Sequence, residues 1–309
     1  EETSAELEFE LMAARAYETP ESDFSWNGTT IIKYNGTAKN VVIPEKAYTI
    51  GSQAFFGNKT IESVTIGKNV MQIDARAFSD CSNLHTVRFE TVKIKREGGC
   101  GFQIFDGCNI GKVEFAENTT YIPAGLFRWA GFQNGAKITI PQKVTSIGSE
   151  AFYYTKYLSM VSFEGNNLVE IGNSAFWGTA IKSIHFPESL KTIGGAAFFE
   201  CKNLEKIEIP KNVTVVGEKA FYNCSALSTL KIRTVKANYG YGVFADCNLS
   251  KIELPEDLTN IPNSMFSSAG FQGGTEITIP ANVTSIGNYA FYDIGNLCKV
   301  TFAGDKVTQ

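Results

Sequence analysis

The chain has 309 residues, of which 43% are hydrophobic and 19% charged, with nine prolines. That composition can bury a core and excludes disorder as the main state. Its 28 basic against 32 acidic residues give a net charge of −4, which offers no general attraction to nucleic acid or to an anionic membrane. Two histidines, His85 and His185, are too few for a His-rich metal cluster, and no apolar run reaches the 18 or more residues that cross a bilayer.

In chain order, residues 1–23 read as a helical segment or linker. Ser4 is placed to cap a short helix carrying Leu7, Leu11, Met12 and Ala14 at helical spacing. Residue 1 is Glu, so the numbering is expected to begin after processing, with any signal peptide removed. Trp26-Asn-Gly-Thr29 and Tyr34-Asn-Gly-Thr37 then put Asn-Gly turns around Thr30–Lys33, a hairpin signal that could cover the first edge of a sheet.

From there a repeat governs residues 24–309. A Phe preceded by Ala or another apolar residue recurs at Phe55, Phe78, Phe105, Phe127, Phe152, Phe176, Phe198, Phe221, Phe244, Phe266 and Phe291, every 22 to 27 residues. Nine of these eleven follow an Ile or Val by five residues, as in Ile147 and Phe152; the exceptions are Phe105 and Phe244. Between them lie period-2 stretches such as Leu204-Glu-Lys-Ile-Glu-Ile-Pro210, each predicted to be one strand closed by proline. A single turn of this size cannot bury its own Ile and Phe, so the turns must stack, with inward columns beginning Val41, Val64, Val87 and Ile43, Ile66, Phe89. A second period overlies the first. Ala130-Gly-Phe-Gln133 returns as Ala269-Gly-Phe-Gln272, so a six-turn block occurs twice, and the segment Glu90–Gln103 is four residues longer than its counterpart Arg233–Gly242. The chain stops soon after Phe302 with no polar capping turn, so either it continues naturally or its last edge is exposed.

These residues resemble the BspA-like, Treponema pallidum-type leucine-rich repeat family. The pattern L-xx-I-x-I-P-xx-V-xx-I-G-xx-A-F-xx-C fits residues 41–302. The expected fold is an α/β repeat solenoid, right-handed, with one parallel sheet of about 12 strands and short helical or irregular segments opposite. The resemblance implies a secreted or cell-surface protein, chiefly of host-associated bacteria and some parasitic protozoa, with roles in adhesion or host binding. The expected partner is a host or matrix protein, or another surface protein. No cofactor, metal, nucleic acid or membrane insertion is expected, nor catalysis, since no nucleophile, base and orienting group converge in the repeat. A passive spacer displaying another domain is the alternative.

Candidate ligand contacts fall into two sets. On the outward sheet face, Lys112, Lys137, Lys206, Lys231 and Lys251 belong to columns holding seven basic and four acidic side chains. That face is mildly basic, yet its alternating Lys and Glu also suit an ordinary solvated sheet. In the two irregular segments lie Lys93, Lys95, Arg96 and Phe102, and then Lys236, Tyr239 and Tyr241. They either bind a ligand from loops on a rigid scaffold or mark a local change of path, with Phe102 and Tyr239 tucked inward. Cys81, Cys108, Cys201, Cys224 and Cys247 each stand three residues after a repeat Phe, which reads as a buried column of free thiols; Cys100 and Cys298 fall outside it. Eight sequons occur, at Asn27, Asn35, Asn58, Asn118, Asn212, Asn223, Asn248 and Asn282, several written by the repeat itself.

Overall fold

The computed structural model describes residues 19–307; the helix expected around Ser4 lies outside them. The chain winds as a β-solenoid of about 12 turns, and each turn hydrogen-bonds to its neighbours along three rows.

The first row contains the longer strands, including Ser63–Ile66, Thr86–Phe89, Lys206–Ile209 and Thr229–Ile232. They pair in parallel and in register, Val41 with Val64, Val64 with Val87, Ile207 with Leu230 and Ile277 with Val300. Alternation turns Ile and Val inward and leaves Lys, Thr and Glu outside. The second row is made of two-residue strands at the Ile or Val that precedes each Phe. Ile122, Ile147, Ile171, Ile193 and Val216 pair in series, and the following glycine N–H donates to the Ile carbonyl one turn back, as from Gly194 to Ile171 at 2.8 Å. Two more members complete this row where the sequence shows no Ile: Cys100 bridges to Ile73, and Tyr239 pairs with Val216.

The third row is the Phe corner, where short helical or irregular segments are expected; the helical alternative does not hold. Helix is almost absent; among the described residues the chain has one 3-10 turn, Glu21–Asp23. The reason is local. Left-handed residues stand two before and two after the Phe, such as Gln53 and Gly57 around Phe55 or Ala196 and Glu200 around Phe198, and a right-handed helix cannot run through them. The corner backbone instead bonds to the next turn, with the N–H groups of Gln53, Phe55 and Gly57 donating to Ala75, Ala77 and Ser79 at 3.1, 2.8 and 2.9 Å. The Phe rings stack inside this corner, Phe152 to Phe176 to Phe198 to Phe221 at 5.2 Å per step. The cysteine column lies beside them as free thiols. Each thiol donates to the carbonyl of the preceding turn's Phe, for example Cys81 to Phe55 at 3.1 Å and Cys224 to Phe198 at 3.2 Å.

The Asn27-Gly28 hairpin forms, Phe24–Asn27 antiparallel to Thr30–Tyr34. It covers the first edge of the two-residue row, pairing Ile31 with Ile50, rather than the edge of the longer strands.

The longer-strand row also stops after Leu158–Phe163, but two seams interrupt both rows. No pairing joins Lys112–Glu114 to Ala136–Ile140 or Lys251–Glu253 to Gly270–Ile279, and the second row breaks before Tyr121–Ile122 and before Asn260–Ile261. Proline supplies the cause. Pro123 and Pro262 stand where other turns carry the donating glycine, and proline has no N–H to give the carbonyl of Cys100 or Tyr239. The duplicated Ala-Gly-Phe-Gln motif stitches each seam. Gly131 donates to Phe105 and accepts from Ile110, both at 2.9 Å; Gly270 donates to Phe244 at 3.3 Å and accepts from Leu249 at 3.0 Å. Only glycine fits, since a Cβ at Gly131 would lie 2.3 Å from the Cys108 oxygen, and one at Gly270 2.2 Å from the Cys247 oxygen. The Phe column crosses both seams, with Phe105 to Phe127 at 5.6 Å and Phe244 to Phe266 at 6.3 Å.

Candidate functional site

The outward sheet face neutralises much of its own charge. Lys112 and Arg88 both bond Glu114, Lys231 lies 3.3 Å from Glu208, Arg233 contacts Glu188 and Glu208, and Lys251 lies 2.8 Å from Glu253. Hydrogen bonds from these cations hold the Glu114 and Glu253 carboxyls below their usual range. Lys137 and Lys206 make no ion pair among the described residues. Lys206 borders a depression of about 330 Å³ with His185, Glu208, Lys231 and Arg233. His85 sits elsewhere, its Nδ1 2.9 Å from Thr86 Oγ1, and no group of three His, Cys, Asp or Glu side chains is placed to hold a metal among the described residues.

The irregular segments sort differently from either expectation. Tyr239 is buried in the isoleucine row. Its hydroxyl has no partner there, and burial raises its pKa. Phe102 faces outward, 47% exposed, with the Arg128 guanidinium 5.9 Å from its ring. Tyr241 is exposed, its hydroxyl 3.0 Å from Ser268 Oγ. Lys93 reaches Asn69 Oδ1 at 2.8 Å, the Lys95 backbone N–H donates to the Met71 carbonyl at 3.2 Å, and Lys236 is exposed.

Arg96 is not a free surface cation. Its guanidinium lies 4.3 Å from the centre of the Tyr121 ring and donates to Ser146 Oγ at 3.1 Å, and its carbonyl accepts the Ala124 N–H at 2.9 Å. The longer first segment thereby fills the first seam, leaving a cleft of about 130 Å³ lined by Arg96, Glu97, Tyr121 and Ser146 among others. At the second seam the shorter segment has no counterpart of Arg96. Asn260, Asn263 and Ser285 stand where the first block has Tyr121, Ala124 and Ser146, and they border an open cleft of about 580 Å³ together with Lys236, Asn238 and Tyr239.

One surface feature escaped the sequence reading. Tyr153, Trp177, Phe199 and Tyr222, each directly after a repeat Phe, form a half-exposed aromatic stripe, with Trp177 to Phe199 at 4.0 Å and Phe199 to Tyr222 at 4.6 Å. The signal lies in the repeat, one position past the Phe column. Trp177, Phe199 and Tyr222 stack on one another, so the ring faces between them are covered, while Tyr153 is tilted by 53° against Trp177. Several sequon asparagines serve the scaffold too: Asn212 and Asn282 donate to Glu188 and Glu256 carbonyls one turn back, at 2.8 and 3.1 Å.

Stacked turns of this length, an Ile-Gly row and a buried Phe column define a leucine-rich repeat solenoid of the all-β kind. The family described as the BspA type leucine rich repeat region (6 copies) matches residues 32–103, 99–205 and 191–309. The chain belongs to that family. No curated protein matches it. Among solved structures it is similar to a leucine rich cell surface protein from Faecalibacterium prausnitzii A2-165, at 23% identity over 92% of this chain and 93% of that one, with a TM-score of 0.43. It is also similar to a leucine-rich repeat protein from Bacteroides ovatus at 23% identity, covering 92% and 94% with a TM-score of 0.37. The T. pallidum leucine rich repeat protein matches at 21% identity over 74% of this chain and 88% of that one, with a TM-score of 0.37.

Proposed function

We propose that this chain is a non-catalytic protein-binding scaffold of the cell surface, acting in adhesion or host contact. The observation that carries this reading is the outward sheet face. Its side chains stand in register from turn to turn, as Ser63, Thr86 and Lys112 do, over a core whose Phe column runs from Phe55 to Phe291. A rigid face repeating at strand spacing suits an extended macromolecule better than a small substrate. The repeat family supports a binding role, and the surface location and host or matrix partner follow from the resemblance. Lys137 and Lys206, the lysines of this face without an ion pair, are the side chains with charge to offer an acidic partner.

The self-paired charges favour a second reading, a passive spacer, because ions already satisfied within the face gain little from a partner. Binding to immobilised matrix proteins and to whole host cells, at low and high salt, separates the two. The scaffold reading expects binding that weakens with salt and falls when Lys137 and Lys206 are both changed to Glu. No binding to any such surface supports the spacer.

A further inference from the structure

We propose that the open cleft at the second seam docks an extended peptide segment of a partner protein that carries an acidic side chain. This rests on the scaffold reading and gives it a specific site.

The first seam shows what fits. There the gap left by Pro123 is filled by polypeptide, the chain's own longer segment, whose Arg96 carbonyl takes the Ala124 N–H at 2.9 Å while its side chain reaches Tyr121 and Ser146. At the second seam the same gap has the same cause, Pro262, and lacks that filling. No carbonyl takes the Asn263 N–H among the described residues.

The rim offers the groups a peptide backbone needs. Val216 makes its ladder bonds to the residues flanking Tyr239, accepting from Gly240 at 2.9 Å. In a parallel pair that geometry turns the N–H and C=O of Tyr239 away from Val216, toward the seam. Pro262 cannot donate to that carbonyl. A strand laid along this edge would supply the missing partners, as in strand addition to any open sheet edge. Asn238 and Asn260 border the same cleft, and their amides both donate and accept, like a peptide unit. The Tyr239 hydroxyl is buried without a partner among the described residues.

Charge selects the side chain. Lys236 is the charged residue of the lining, and no carboxylate lies there to oppose an acidic group. A basic or uncharged peptide would leave Lys236 unanswered.

The test uses the whole chain against an array of synthetic peptides, each about seven residues and so roughly 23 Å when extended, with Asp, Asn or Lys scanned through every position. Two variants accompany the wild type. In the first, Arg233–Gly242 is replaced by the sequence of Glu90–Gln103 together with Asn260→Tyr, which plugs the cleft; the second is Lys236→Glu. Asp-bearing peptides should bind the wild type best. The plugged variant should lose about tenfold or more in affinity, Lys236→Glu should move the preference from Asp to Lys, and peptide should slow amide exchange at Asn263. If the plugged variant does not fold, the reversal by Lys236→Glu and the Asn263 amide still decide. Equal binding by all three chains, binding indifferent to the scanned charge, or no bound peptide together with an unchanged Asn263 amide would overturn the proposal. A chain that binds matrix protein or cells but none of these peptides refutes the cleft and leaves the scaffold reading standing. Peptide binding without any binding to those surfaces does the reverse.

Discussion

Gly270→Ala tests the account of the seams. The new methyl group would lie 2.2 Å from the Cys247 carbonyl oxygen and 3.0 Å from Cys247 N and C. These are backbone atoms held in the corner of the preceding turn and cannot swing aside, so the seam must open by about 1 Å to restore ordinary contact. That movement stretches two stitches, Gly270 to Phe244 at 3.3 Å and Leu249 to Gly270 at 3.0 Å. Two backbone bonds at about 1 kcal/mol each, with about 1 to 3 kcal/mol of overpacking, give a loss of roughly 2 to 4 kcal/mol after the smaller unfolded backbone entropy of alanine is set against it. Gly273 is the control: a Cβ there meets nothing within 4 Å, so Gly273→Ala should be neutral or slightly stabilising. Urea denaturation followed by circular dichroism reads the difference. A Gly270→Ala midpoint no lower than that of Gly273→Ala would refute the stitch, and Gly131→Ala should behave as Gly270→Ala does.

Phe198→Ala removes a fully buried ring stacked on Phe176 and Phe221; it should cost about 3 to 5 kcal/mol, and an unchanged denaturation midpoint would mean that the column does not carry the core. Burial pushes the Cys81, Cys201 and Cys247 thiols up to about 12, while unfolded thiols ionise near about 8.5. The unfolded state therefore loses its protons first as pH rises, so stability should be constant below about pH 8.5 and fall between there and about pH 12; Cys201→Ala should show a shallower fall than wild type in midpoints measured from pH 8 to 10. Arg96→Ala removes a ring contact and a hydrogen bond to Ser146 and should destabilise by about 1 to 2 kcal/mol, whereas Lys95→Ala should stay within about 0.5 kcal/mol; equal midpoints for the two would return Arg96 to the free surface.

The inward columns were legible because burial and period-2 alternation write directly into residue type. Register was legible for the same reason, since each turn carries one alternating stretch whose inward positions fix which Val meets which. The corner was not. Its left-handed positions are filled by Gln53, Arg76, Glu150, Ala196 and Lys219 as well as by glycines, so no residue type marks the conformation that forbids a helix there. The second row was half visible: its Ile or Val recurs five residues before the Phe, but two residues are too few to show the alternation of a strand. Cys100 and Tyr239 hid their places in that row, as a thiol and a phenol where aliphatic side chains normally stand. Among the candidate contacts, charge alone could not distinguish Arg96, which is spent on the chain's own seam, from Lys236, which is not. That difference rests on partners brought together by the fold across 50 residues.

The duplication serves as an internal control on where function resides. Both copies open the irregular segment in the same way: Thr91 and Thr234 donate to Val70 and Val213 carbonyls at 2.7 and 2.6 Å, and accept the Lys93 and Lys236 N–H at 3.0 and 3.1 Å. Both keep the proline that breaks the row and the glycine that stitches it. What scaffolding requires is therefore common to the two blocks. The copies differ at many positions, among them Arg128 against Ser267 and Lys137 against Glu276; the differences that line the gap are Arg96, which has no counterpart, Tyr121 against Asn260 and Ala124 against Asn263, and these decide whether the cleft is filled. The four residues that lengthen the first segment let its Arg96 carbonyl take the Ala124 N–H across the gap, whereas in the second block the Asn263 N–H has no such acceptor among the described residues, which is the difference that the proposed peptide docking exploits.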